Sequence, residues 1–199
     1  MAATKAHIVR PGEYLDQICF RNGIKPEDTW DLPKNAELRE QRADPNLLNP
    51  GDILHLPEDS RSPLTITAGA TNHYSARVPE TTINIVLQDF DGPVANADIL
   101  VSGLEPLERK FRTDEQGKIR IENIPVTTRS LFLKSLDGAI DMDLRIGELN
   151  PIHEVSGWTG RLQNLGFSSL LAFQDSQGIS PTGEPDKETI AALEEAYGC

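Results

Sequence analysis

Apolar positions along the chain change period twice, and the changes divide it into three stretches. In the first, residues 7–9 form a short β-prone run ended by the turn signal of Arg10, Pro11 and Gly12. Leu15, Ile18 and Cys19 then fall at helical spacing, with Asn22 and Gly23 as a left-handed stop. A second helix is expected over 35–42, with Leu38 on its inner face and Trp30 packing just before it. Asn49, Pro50 and Gly51 turn the chain into a strand over 52–56, which Pro57 closes. Residues 58–80 are rich in Ser, Thr, Pro, Gly and Ala without periodicity and read as linker, with room for one short strand over 64–67.

From Thr81 the period becomes two. Ile83, Ile85 and Leu87 alternate with polar residues, a turn follows at "DFDGP", and Ile99 with Val101 starts the next strand. A second turn over 113–117 leads to Ile119 and Ile121, then to Leu131 and Leu133. The alternation of Ile140, Met142, Leu144 and Ile146 places Asp141, Asp143 and Arg145 outward. Strands at this spacing predict a small antiparallel β-sandwich. After Pro151 the period turns helical again: Trp158, Leu162 and Leu165 before a stop at Gly166, then Leu170, Leu171 and Phe173 before Gly178. Asp186 is placed as the N-cap of a third helix carrying Ile190, Leu193 and Tyr197 and ending at Gly198. Three short helices predict a small bundle.

Specific residues carry family resemblances for each stretch. Val9, Gly12, Glu13, Leu15, Ile18 and Gly23, followed by "NLLNPGDILHLP" (46–57), resemble the LysM family, whose order is strand, helix, helix, strand; the central "TWDLPKNAELREQRADP" is longer than the common pattern. "DGPVANADILVSG" and "RTDEQGKIRIENIP" resemble prealbumin-like, carboxypeptidase regulatory-like modules. "GRLQNLGF" and "LLAFQDSQGISPTGEPDKETIAAL" resemble the peptidoglycan-binding type 1 family. That family's Asp-Gly loop, which helps shape its ligand groove, is absent here, since 166–169 lead directly into Leu170. The fold class expected is thus multi-domain α+β. A LysM-like module occupies 1–58, a linker 59–80, a prealbumin-like sandwich 81–150 and a degenerate peptidoglycan-binding-like bundle 151–199.

Composition narrows the partners. A formal charge of −12 spread without long like-charge blocks disfavours nucleic acid and anionic membranes. The two cysteines, Cys19 in a helical pattern and Cys199 at the last position, do not read as a disulfide framework. No signal-peptide pattern is read in the first ten residues, so synthesis in the cytoplasm is expected, with delivery outward by a specialised machine if the target is cell wall.

Reactive chemistry is hard to assemble from these residues. His7, His55, His73 and His153 lack metal-type spacing, so neither a metal nor another cofactor is expected. "GFSS" lacks the second glycine of a nucleophile elbow, and Asp89, Asp91 and Gly92 with Pro93 fit a hairpin rather than a calcium loop. Trp30 and Trp158 fall at core positions. The LysM resemblance implies a glycan groove between Gly12, Glu13 and Tyr14 on one side and Leu48, Asn49, Pro50 and Gly51 on the other; the alternative is that these are turn residues only. Two expectations follow. One is a non-catalytic protein that binds peptidoglycan or a related bacterial cell-wall glycan. The other is an adaptor or structural part of a type VI secretion or phage-tail-like injection system, holding spike or effector proteins.

Overall fold

A computed structural model describes residues 3–58, 65–75, 77–89, 91–104 and 108–197. Its architecture is mixed α+β: six α-helices and several small antiparallel sheets among the described residues. The chain forms two compact units, 1–81 with 125–127, and 82–124 with 128–199.

In the first unit, β1 (Thr4–Ile8) pairs antiparallel with β2 (Ile53–Pro57), in a register that sets Ile8 opposite Ile53 and Thr4 opposite Pro57. Between them lie α1 (Leu15–Asn22), α2 (Pro26–Trp30), a 3₁₀ turn (Pro33–Asn35) and α3 (Ala36–Gln41). Leu15, Ile18 and Cys19 bury the inner stripe of α1 against Val9, Leu38, Leu48, Leu54 and Leu56, with Trp30 half-buried at the margin. Gly23 ends α1 in the left-handed region at φ 67°, and the N–H of Ile24 returns to the carbonyl of Cys19.

Two features differ from the sequence reading. α2 was not expected, although Pro26 in the first turn followed by Glu27 and Asp28 is a helix-start signature that suits the positive end of the helix. The expected helix over 35–42 is a 3₁₀ turn and a shorter α3, because Leu32 before Pro33 is held extended at ψ 135° and forces a fresh start. Asn35 is fully buried there and ties the turn to β2. Its Nδ2 donates to the carbonyls of Thr29 (2.7 Å) and His55 (2.9 Å), and its Oδ1 accepts from His55 N (2.8 Å). Among 65–75 and 77–79 there is no helix or strand; of the strand expected over 64–67, Leu64 lies outside the described residues and 65–67 are irregular.

In the second unit, β3 (Glu80–Val86, beginning in the first unit) pairs with β8 (Lys118–Pro125), and β4 (Gln88–Asp89) with β5 (Gly92–Pro93). A four-stranded sheet runs in the order β10 (Asp141–Arg145), β9 (Ser130–Ser135), β6 (Asp98–Ser102), β7 (Glu108–Arg112). Ile99, Val101, Ile119, Ile121, Leu131 and Leu133 bury one core. Strand β7 has no apolar alternation in "ERKFR" and was not expected; its pairing partner β6 holds it, Phe111 opposite Ile99. In β10, the outermost strand of this sheet among the described residues, Asp141, Asp143 and Arg145 are exposed, but so is Met142.

Three helices follow: α4 (Val155–Asn164), α5 (Leu170–Gln177) and α6 (Lys187–Tyr197). They close over Ile152, Leu162, Leu170, Phe173, Ile190 and Leu193, with Trp158 partly buried beside them. Ser169 caps α5 by accepting from Ala172 N, and Asp186 caps α6 by accepting from Thr189 N (2.9 Å). The expected stop at Gly198 and the thiol of Cys199 lie outside the described residues. Gly157 lets α4 press on the preceding chain so closely that a Cβ there would stand 1.8 Å from the carbonyl oxygen of Pro151. Gln174 is fully buried, its amide donating to Thr182 Oγ1, Thr189 Oγ1 and the Glu184 carbonyl while its Oε1 accepts from Gly183 N. That one amide ties the 178–186 loop to α5 and α6.

Candidate functional site

The two turns nominated by the sequence lie in the first unit and are brought side by side by the backbone. Val9 N donates to Asp52 O and Gly51 N to Val9 O, both at 2.9 Å, extending the β1–β2 pairing into the turns. Arg10 to Glu13 close one turn through Glu13 N to Arg10 O, and Asn49 to Asp52 close the other through Asp52 N to Asn49 O. Asp52 holds the second turn in place. Its carboxylate accepts from Asn49 N and, in two parallel bonds of 2.9 Å, from Arg42 Nε and Nη2.

Proximity does not make these residues accessible. Glu13, Tyr14 and Leu48 are 7%, 5% and 4% exposed, whereas Gly12, Asn49 and Pro50 are half-buried and only Gly51 is exposed. The hydroxyl of Tyr14 donates to the carbonyl of Val126 at 2.8 Å, within the same compact unit. Glu13 turns inward: Oε2 accepts from Arg10 N (3.1 Å) and His7 Nε2 (2.8 Å), and Oε1 from Arg21 Nη1 (3.3 Å). Burial opposes its ionisation, but the bonds from His7 and Arg10 and the charges of His7 and Arg21 together hold the carboxyl below its ordinary range. Its lone pairs are committed to closing the corner.

On α1 and α2 a different arrangement occurs, one the sequence reading missed. Asp16 and Phe20, one helical turn apart on α1, border a hollow of about 420 Å³ with Ile24, Pro26, Glu27 and Pro79. Asp16 accepts from Asn46 Nδ2 at 3.2 Å, while Asp16 N donates to Asn46 Oδ1 at 3.2 Å. Neither Asp16 nor Glu27 forms an ion pair among the described residues. Burial raises the pKa of Asp16, the Asn46 bond partly opposes this, and the charges of Glu27 and Asp44 add to the rise. In the core on the inner stripe of α1, the thiol of Cys19 lies 3.5 Å from Thr29 Oγ1; burial, against the Thr29 bond and with smaller contributions from Asp16 and Glu27, pushes it up to about 11.

In the second unit the buried guanidinium of Arg161 donates through Nη1 to the carbonyls of Asn150 (2.8 Å) and Gly157 (3.0 Å) and lies 5.5 Å from the Tyr197 ring centroid. These contacts fasten α4 to its approach and to α6. Among the described residues no group of three His, Cys, Asp or Glu side chains could hold a metal ion, and no helix is long and apolar enough to cross a membrane. No protein-family model, no curated protein and no solved structure matches the chain.

Proposed function

We propose that the chain is a non-catalytic, multi-module binding protein acting as an adaptor. Its first unit holds a protein partner rather than a glycan, in the setting of a type VI secretion or phage-tail-like injection apparatus. The observation that carries this reading is the burial of Tyr14. Tyr14 and Glu13 are the aromatic ring and the carboxylate that the two turns could offer a sugar, and both are buried, with their polar atoms spent on Val126, His7, Arg10 and Arg21. In this reading the first unit is LysM-like in its order of elements, the strands of the second are prealbumin-like, and the closing helices are a degenerate peptidoglycan-binding-like bundle.

Glycan binding is the second reading. It is favoured by the Val9 to Asp52 pairing, which sets the two turns together with Asn49, Pro50 and Gly51 partly open. Sedimentation of the full chain with purified peptidoglycan sacculi separates the two. The adaptor reading expects the protein to stay in the supernatant with a non-binding control. Saturable retention that Asn49→Ala reduces would overturn it, and loss of sacculus turbidity would overturn the absence of catalysis.

A further inference from the structure

An anionic recess with an apolar floor selects for a particular kind of ligand. Asp16 and Glu27 bring two carboxylates to the rim of the α1–α2 hollow, and no cation of the described chain neutralises either. Phe20, Ile24, Pro26 and Pro79 supply the remaining wall, which is mostly hydrocarbon. A small hydrated cation would leave that wall unused, and a purely apolar group would bring no counter-charge to the carboxylates. A side chain with a methylene stem and a terminal ammonium satisfies both parts, the stem lying on hydrocarbon and the three N–H donors reaching oxygen. The compact shape matters too, because an ammonium can approach two separate carboxylates without the planar match that a guanidinium needs.

We propose that this hollow is a docking site for a lysine side chain of a protein partner. The proposal rests on the adaptor reading and gives it a place and a chemistry. Other features agree with it. The chain carries a formal charge of −12, which draws a basic partner in from a distance. Burial first, and the charges of Glu27 and Asp44 after it, hold the Asp16 carboxyl above its ordinary range, and an incoming cation would offset both. Asn46 accepts from the Asp16 backbone N–H and donates its Nδ2 to Asp16 Oδ2, so the carboxylate is already oriented before the partner arrives.

The test uses the isotopically labelled full chain titrated with Nα-acetyl-lysine N-methylamide and followed by amide shifts. Saturable movement confined to Asp16, Phe20, Gly23, Ile24 and Glu27 is expected, with an affinity on the order of millimolar, as suits one isolated side chain. The uncharged norleucine analogue is expected to bind at least about tenfold more weakly, and the Asp16→Asn, Glu27→Gln double variant to lose binding by a similar factor while keeping the shift pattern of a folded chain. Raising the salt from 0.1 to 0.5 M is expected to weaken binding several-fold. The proposal is overturned if norleucine binds as well, if the double variant binds like the original chain, or if the shifts fall elsewhere. Tighter binding of pentane-1,5-diamine than of the lysine amide would also overturn it, by reassigning the hollow to a free amine. Because sacculus sedimentation does not depend on the hollow, failure here leaves the adaptor reading to stand or fall by that assay.

Discussion

The corner around Glu13 and the hollow beside Asp16 lie a few residues apart in the same unit and are both built on a carboxylate, yet their surroundings differ. At the corner, His7, Arg21 and the Arg10 N–H satisfy Glu13 from three directions. At the hollow, Asp16 has one amide partner and two negative neighbours, Glu27 and Asp44. A carboxylate surrounded by its own donors serves the fold, and one left short of them is free to serve a ligand. Sequence position near a turn does not distinguish the two cases, whereas local charge balance does.

The largest effect that would test this contrast is removal of the satisfied group. Glu13→Ala strands a histidine, an arginine and a backbone N–H at once, and we expect a loss of about 2–3 kcal/mol in urea unfolding. A loss under about 0.5 kcal/mol would mean that the corner is ornamental. Tyr14→Phe comes next: it deletes only the hydroxyl that meets Val126 O, so a cost of about 1 kcal/mol is expected, with the core unchanged by near-ultraviolet circular dichroism.

The pH dependence should separate the two carboxylates by sign. The folded-state pKa of Glu13 lies below its ordinary 4.5, so its stabilisation is complete above 4.5 and disappears as the pH falls through the folded value. Asp16 is raised above its ordinary 3.8, so its contribution is present below 3.8 and lost as the pH rises through the folded value. Denaturation midpoints measured from pH 3 to 7 should show Glu13→Gln falling further below the parent as the pH rises. Asp16→Asn should move the other way over that range. The smallest effect is that of Asp16→Asn itself at neutral pH, a change within about 0.5 kcal/mol and in the stabilising direction; a clear destabilisation would place Asp16 with the structural groups.

Much of the fold was legible because its signals are local. Helix ends at Gly23 and Gly178, the cap at Asp186 and the alternation of Ile119 with Ile121 are each written within a few residues. Strand β7 was not, since a charged stretch with Phe111 alone becomes a strand only through its partner β6. The short α2 could have been found from Pro26, Glu27 and Asp28, but its five residues are too few for periodicity to register. The site was least legible. Tyr14 reaches a carbonyl 112 positions away, and the hollow joins Asp16 and Glu27 to Pro79, so neither the burial of the one nor the composition of the other leaves a mark in any local window.

Cys19 gives the first unit a clock. With the thiol buried and its pKa near 11, roughly one part in ten thousand is ionised at neutral pH, and alkylating reagents cannot reach even that fraction while the helix is seated. Modification of this position, followed by peptide mapping so that Cys199 is counted separately, therefore proceeds in proportion to the fraction of molecules in which α1 is lifted from its neighbours, as long as reclosing is faster than alkylation. A ligand that locks α1 against α2 would slow that rate in proportion to occupancy, so the native thiol can time the breathing of the module without any added label.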